Sequence, residues 1–220
     1  MSDDTQRARD YFDALAPEYN RAFRLAGRNP LSAAVNRLFR GRTFARRMRR
    51  LEATFRDLDT EGLEVLDLGC GSGQVSLLAA SMGARVRGID IAPRMLAIAR
   101  DSTQRLNLAE RVRFEEGDVA VCPLPEADVV LLIGVVEYYR DFATIIHRAA
   151  AAARRQLIVA HTTRVAYRML LRRILFRLSG ARVYFHPMDQ VIAVATAAGL
   201  ALLEEQREHA FSILRFGRRG

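Results

Sequence analysis

Residues 64–73 read EVLDLGCGSG, a run of strand formers closed by Asp67 and followed by glycines at 69, 71 and 73. Val65, Leu66 and Leu68 are apolar residues that suit a strand. Glycine at alternate positions suits backbone that turns tightly or lets a ligand come close, because no Cβ stands in the way. A strand that runs into a Gly-rich turn and then a helix points to a nucleotide-type ligand held at the turn. The spacing departs from the dinucleotide pattern G-x-G-x-x-G, since Gln74 stands where the third glycine would fall. A carboxylate at the strand end also suits an ammonium group better than a pyrophosphate.

Outward from this stretch, short apolar runs alternate with helix-periodic segments. GLEVLDLG, ARVRGIDI, RVRFEEGD, ADVVLLIG and RQLIVAHT are predicted strands, separated by the helical QVSLLAASMG, PRMLAIARDSTQRL and DFATIIHRAAAAA. The alternation predicts βαβ units and a parallel sheet. MDQVIAVATAAGL is a further helix, and ALLEEQREHA and FSILRFG are strands joined by a link too short for anything but antiparallel pairing. The expected fold is therefore α/β, a Rossmann-like, doubly wound and mostly parallel seven-stranded sheet with an antiparallel C-terminal strand and N-terminal helices. At 220 residues one structural domain is expected. Within it, residues 1–62 read as a helical lid or substrate cover, and 63–220 as the ligand-binding core with a basic amphipathic insertion at about 162–186.

Half the residues are hydrophobic and about a quarter charged, the composition of a folded globular chain. Two cysteines, Cys70 and Cys122, make no disulfide framework, and MSDDTQRARD has neither the basic nor the apolar part of a secretion signal. These features predict a cytosolic protein without a spanning helix. No Cys/His/Asp cluster has metal-ligand spacing, so no metal is expected. All 34 basic residues are arginine, and the net charge is +9. The charge is uneven: ten arginines and no acid lie between Glu18 and Glu52, and nine arginines and no acid between Asp141 and Asp189.

VLDLGCGSG resembles the first motif of the class I S-adenosylmethionine-dependent methyltransferases, and later motifs extend the likeness. The resemblance implies that S-adenosylmethionine is the cofactor and S-adenosylhomocysteine its product. It implies that Asp67, Gly69, Cys70, Gly71 and Gly73 receive the methionine end, with Asp67 on the ammonium side. Asp90, in GIDIAP and 17 residues after Gly73, would hold both ribose hydroxyls, which one carboxylate can accept together. Ile91 and Met95 would flank it. In EEGDVA, Asp118 would meet the adenine amino group and the Val119 backbone a ring nitrogen. Gly134 and Val135, in LIGVVEYY, would lie beside the methionine moiety. DYFDALAPEYN is similar to the N-terminal lid of many small-molecule methyltransferases, which adds Tyr11 and Tyr19; the plainer reading is a helix with aromatic residues packed on the sheet.

Methyl transfer from a sulfonium is an in-line displacement from an activated donor, so positioning can supply most of the acceleration. A base is needed only when the acceptor must lose a proton. The candidates at strand ends are His161 as a base, Tyr138 to orient the acceptor, and Glu137. Each has a plainer reading: His161 as a backbone-bonded histidine, Tyr138 as a pocket wall, Glu137 as a helix cap or arginine partner. His186 reads as a turn former, and His147 and His209 as structural.

The basic stretches fall where this family places its substrate cover, which predicts a small-molecule acceptor that is anionic, lipid-like or both. Within RVAYRMLLRRILFRL, Arg164, Arg168 and Arg172 share one face and an apolar stripe another, a pattern that fits either peripheral contact with an anionic membrane surface or an ordinary surface helix. No nucleic-acid-binding module is recognisable, so nucleic acid is not the expected partner. The likeness extends loosely to magnesium-protoporphyrin and quinone-pathway methyltransferases, which keeps a porphyrin carboxylate as an alternative acceptor. Two other classes compete: a nicotinamide oxidoreductase, disfavoured by Gln74 and Asp67, and a non-catalytic cofactor-binding or membrane-associated partner protein.

Overall fold

The computed structural model describes residues 3–23, 42–162, 182–208 and 211–218. Two helices come first, α1 (Asp3–Phe23) and α2 (Arg42–Asp57). The sheet then alternates with helices: β1 (Glu64–Leu68), α3 (Gln74–Ser81), β2 (Arg85–Asp90), α4 (Pro93–Arg105), β3 (Val112–Glu116), β4 (Ala127–Ile133), a short 3-10 turn (Val136–Tyr138), α5 (Phe142–Ala152) and β5 (Ala153–Thr162). Helix α6 (Met188–Ala197) and the strands β6 (Leu200–Arg207) and β7 (Phe211–Arg218) complete the chain.

The sheet order is β3-β2-β1-β4-β5-β7-β6. β1 to β5 pair in parallel, while β7 runs antiparallel to both β5 and β6. Every expected strand is present. The local causes are legible: Pro93 opens α4 without wasting a donor, the Asp141 side chain caps α5 by accepting the Thr144 N–H at 3.2 Å, and Gly199 at φ 86° ends α6. One boundary differs from expectation. The helix read through Ala153 stops at Ala152, and Ala153 instead pairs with Ala127 at the start of β5.

Two cores form, one on each face of the sheet. Leu51 and Phe55 of α2, Leu77 and Ala80 of α3, and Leu96 and Ala99 of α4 pack on one face. Ile145, Ile146 and Ala149 of α5, with Val191 and Ala195 of α6, pack on the other. Burial on both faces explains why the central strands read as nearly unbroken apolar runs. Strand order reverses between β1 and β4, so the loops following them diverge and leave a crevice at the C-terminal edge, the place where open α/β sheets bind ligands. Among the described residues no helix is long and apolar enough to cross a membrane.

Candidate active site

The three glycines after β1 all take left-handed backbone, with φ of 69°, 54° and 78° at Gly69, Gly71 and Gly73. Their surroundings differ. A Cβ on Gly69 would lie 2.5 Å from a Val135 methyl, and one on Gly73 would lie 2.6 Å from the Phe114 ring and 2.9 Å from Ala99. Those two glycines allow close packing, of the β4 loop and of α4 and β3 respectively. A Cβ on Gly71 would meet nothing within 4 Å. Gly71 thus presents bare backbone to open space, which is what a ligand requires of a cradle.

Asp90, at the end of β2, ties this loop down. Its Oδ2 accepts the Gly71 N–H at 2.7 Å and its Oδ1 accepts the Ala92 N–H at 2.8 Å. Each oxygen keeps a further lone pair for a ligand hydroxyl. Burial raises the Asp90 carboxyl above its usual range, and the backbone N–H groups oppose the shift. The Gly69 and Cys70 N–H groups both donate to the Ile89 carbonyl, so the turn is fastened to β2 at three points.

Asp67 lies beneath the loop with only 2 % of its surface exposed, and its Oδ2 accepts the Ser76 hydroxyl at 2.6 Å. Burial pushes its carboxyl up to about 7; the Ser76 bond opposes this and the Asp90 charge adds to it. A carboxylate so placed gains from an ammonium partner. Cys70 sits over Gly88, and burial pushes its thiol well up, which suits packing rather than nucleophilic chemistry.

Asp118, after β3, bonds through Oδ1 to the Ala120 N–H at 2.9 Å and to the Tyr139 hydroxyl at 3.4 Å. Its Oδ2 is buried and has no partner. A buried acceptor left open is costly unless something fills it, and an adenine amino group is a suitable donor. The Val119 carbonyl accepts Arg148 Nε at 2.9 Å, so what Val119 can offer a ring nitrogen is its N–H. The residues present therefore fit an adenosine-containing ligand.

Helix α1 crosses the crevice. Ala16 is buried against Ala92 and Met95, the Asp13 carboxylate accepts the Arg94 N–H at 3.0 Å, and Arg9 pairs with Glu116 at 3.0 Å. The Phe12 ring meets Tyr138 edge-on at 5.0 Å and Tyr11 at 5.2 Å. Tyr11 and Ile91 are half-buried, and Met95 is buried under α1. Tyr19 falls within α1, but its side chain lies outside the described residues. A crossing segment secures α1 from the other side: the Tyr184 N–H donates to the Glu137 carbonyl at 2.7 Å, and the Tyr184 hydroxyl donates to Asp4 at 2.9 Å. His186 Nε2 lies 3.0 Å from the Tyr139 carbonyl and stacks on Phe142, so it shapes the turn before α6 as expected.

After β4, Gly134 at φ 74° turns the chain, its N–H bonded to the Ala160 carbonyl at 2.7 Å. Val135 packs on Gly69, and Glu137 and Tyr138 follow in the 3-10 turn, Glu137 buried and Tyr138 half-buried. His161 is buried on β5 opposite Ser212 and shares the face of Leu157 and Val159. The amphipathic segment with Arg164, Arg168 and Arg172, and His209, lie outside the described residues. Sequence reading missed Ser76, Phe12, Tyr139 and Arg148. It also missed Arg47 of α2, whose Nη1 lies 3.3 Å from where a Cβ on Gly134 would stand. Adjacency to the quoted motifs was the available signal for Ser76, Phe12 and Tyr139; Arg47 and Arg148 carried none.

Comparison with known proteins places these features. The family description "Methyltransferase domain" matches residues 65–156. A ubiquinone biosynthesis O-methyltransferase of Methylobacterium sp. (strain 4-46) is 33% identical over 93 residues, 42% of this chain and 37% of that protein. A magnesium-protoporphyrin O-methyltransferase of Rhodobacter capsulatus is 37% identical over 82 residues, 37% of this chain and 36% of that protein. These matches span little more than a third of the curated relatives' length. The crystal structure of magnesium protoporphyrin IX methyltransferase from Synechocystis PCC 6803 with bound S-adenosylhomocysteine superposes with a TM-score of 0.78 at 25% identity, covering 99% of this chain and 100% of that one. Strand order, glycine loop and matched domain agree: residues 65–156 match a methyltransferase domain, and the chain shares its fold with a methyltransferase crystallised with S-adenosylhomocysteine.

Proposed function

We propose that the chain transfers a methyl group from S-adenosylmethionine to a small-molecule acceptor that is anionic, lipid-like or both. The observation that carries this reading is the cradle formed by Gly71, Asp90 and Asp118: bare backbone over open space, a carboxylate with lone pairs to spare, and a buried acceptor oxygen without a partner. When bound, S-adenosylmethionine supplies a methyl group already activated on a sulfonium. The chain's residues do the rest. Asp90 accepts the ribose hydroxyls, with Ile91 and Met95 beside it. Asp118 Oδ2 and the Val119 N–H read the adenine edge. Gly69, Cys70, Gly71, Gly73 and Asp67 receive the methionine end, and Gly134 and Val135 wall it.

Residues 1–62, with Tyr11 and Tyr19, act as lid and acceptor cover over the core of residues 63–220. Tyr138 orients the acceptor from the β4 loop. His161 takes the proton where the acceptor has one to lose, and Glu137 sets the charge of that corner. The two acid-free basic stretches of the sequence attract an anionic acceptor and bring the chain to an anionic membrane surface.

A porphyrin carboxylate is the favoured form of acceptor in a second reading. It is supported by the full-length likeness to the Synechocystis protein, which takes in the N-terminal helices as well as the matched domain. A carboxylate acceptor needs no base. The test is transfer of label from methyl-labelled S-adenosylmethionine, in detergent or anionic vesicles, to magnesium protoporphyrin IX, a reduced short-chain quinone precursor and a neutral hydroxyl compound. Label in the porphyrin or the quinone precursor supports the reading; label in the neutral compound alone contradicts the acceptor class, and label in none, with the cofactor bound, supports a non-catalytic role.

A further inference from the structure

Arg47 stands at the end of the site that the glycine loop leaves open. Its Nη1 is 3.3 Å from the position a Cβ on Gly134 would take, and Glu137 Oε1 is 3.9 Å from the same point. Gly134 precedes Val135, whose methyl packs on Gly69. The guanidinium therefore lies one residue from the contact that joins the methionine loop to the β4 loop. It is half-buried, and Phe44 supports it from within α2 with the ring centroid 6.0 Å from its central carbon. Two other arginines of α2 are paired, Arg50 with Glu208 and Arg56 with Glu52, while Arg46 and Arg49 are exposed to solvent. Among the described residues no ion pair to Arg47 is formed.

A half-buried cation in that position cannot serve as a base, because a guanidinium does not release its proton near neutral pH. It also places positive charge beside the β4 loop, next to the Glu137 carboxylate. Both features favour an acceptor that brings its own negative charge. We infer that Arg47 is a specificity-determining residue that binds the acceptor's carboxylate and presents it to the methyl group. The inference rests on the methyltransferase reading above and deepens it. One carboxylate oxygen accepts a guanidinium N–H, and the other keeps its lone pair for the methyl carbon. As the new C–O bond forms the C–S bond breaks, and its electron pair stays on sulfur. A methyl ester and a neutral thioether result, and no proton moves. The planar guanidinium fork matches a carboxylate in shape, which a lysine in its place would not.

The test measures binding, so it does not depend on turnover. Magnesium protoporphyrin IX and its dimethyl ester are titrated by fluorescence into the full chain saturated with S-adenosylhomocysteine, for wild type, Arg47→Met, Arg47→Lys and the surface control Arg49→Met. The wild type is expected to bind the free acid more tightly than the ester by about tenfold or more, the worth of a charge-assisted hydrogen bond. Arg47→Met should lose that preference, Arg47→Lys should keep part of it, and Arg49→Met all of it, with S-adenosylhomocysteine affinity the same in each. Equal binding of acid and ester by the wild type, no binding of either, or a preference that survives in Arg47→Met overturns the inference. So does a fall in S-adenosylhomocysteine affinity matching the lost preference, which would mark Arg47 as structural. Failure of the wild type to bind S-adenosylhomocysteine at all would instead overturn the reading on which the inference rests.

Discussion

Asp90 Oδ2 accepts the Gly71 N–H at 2.7 Å, so the acid expected to hold the ligand's ribose also holds the loop expected to receive its methionine end. One buried side chain links the ends of β1 and β2. Removing it leaves the Gly71 and Ala92 N–H groups without their acceptor, at a cost of about 1–3 kcal/mol for each that stays buried. Asp90→Ala should therefore lower the midpoint of chemical denaturation even without ligand. An unchanged midpoint would mean that the loop is fixed by the Ile89 carbonyl alone.

The glycines separate packing from ligand approach. Gly69→Ala and Gly73→Ala place a Cβ against Val135 and Phe114, so both should destabilise the fold by about 1–3 kcal/mol through overpacking, in addition to the left-handed strain. Gly71→Ala has open space and should cost only the strain, about 1–2 kcal/mol, yet weaken S-adenosylhomocysteine binding at least as much. Thermal unfolding beside calorimetry for the three variants checks this. Equal stability losses throughout would contradict the distinction.

Asp118 should select the adenine amino group. In Asp118→Asn the oxygen stays with the Ala120 N–H, and the new amide NH2 takes the place of the buried, open Oδ2. Two donors would then face each other. The variant should bind S-adenosylhomocysteine about tenfold or more weakly and tolerate the inosine analogue better than wild type does. An unchanged ratio of the two ligands would remove Asp118 from adenine recognition.

Asp67 should make the free protein less stable as pH rises. Burial holds its folded-state carboxyl at about 7, above the ordinary carboxylate range, so the folded chain keeps a proton that the unfolded chain has released. The corresponding stability is fully present below the ordinary value and is lost as pH climbs through about 7. Asp67→Asn should flatten this decline in urea denaturation between about pH 5 and pH 8. A cationic amino group on the ligand should oppose it, so that S-adenosylhomocysteine binding to wild type releases protons near neutral pH. Parallel pH profiles for wild type and variant would show that Asp67 does not carry the effect.

Most of the fold was legible because the central strands are buried on both faces and flanked by glycine, acid and proline, which leaves few ways to assign them. The Ala149–Ala153 run was not, since five alanines carry no period and only pairing with Ala127 decides where the helix ends. The positions of the proposed site residues were legible where they lie at the first four strand ends, as Asp90, Asp118 and Gly134 do. What was missed depends on tertiary approach. Arg47 reaches Gly134 only because α2 packs on the sheet, and Ser76 reaches Asp67 only because α3 turns back over β1. Charge counting singled out the arginine-rich stretch that contains Arg47 but could not distinguish it from neighbours that are exposed, as Arg46 and Arg49 are, or paired with an acid, as Arg50 is.

The most direct test of the central claim is calorimetric titration of the wild type and Asp90→Ala with S-adenosylhomocysteine, at a temperature where both are folded. The account predicts one site of affinity on the order of micromolar in the wild type, and a loss of about a hundredfold or more in the variant, since a charged hydrogen-bond acceptor for two hydroxyls is removed. Wild-type binding that survives unchanged in Asp90→Ala would contradict the assigned cradle. No binding to the wild type would contradict the function proposed for it.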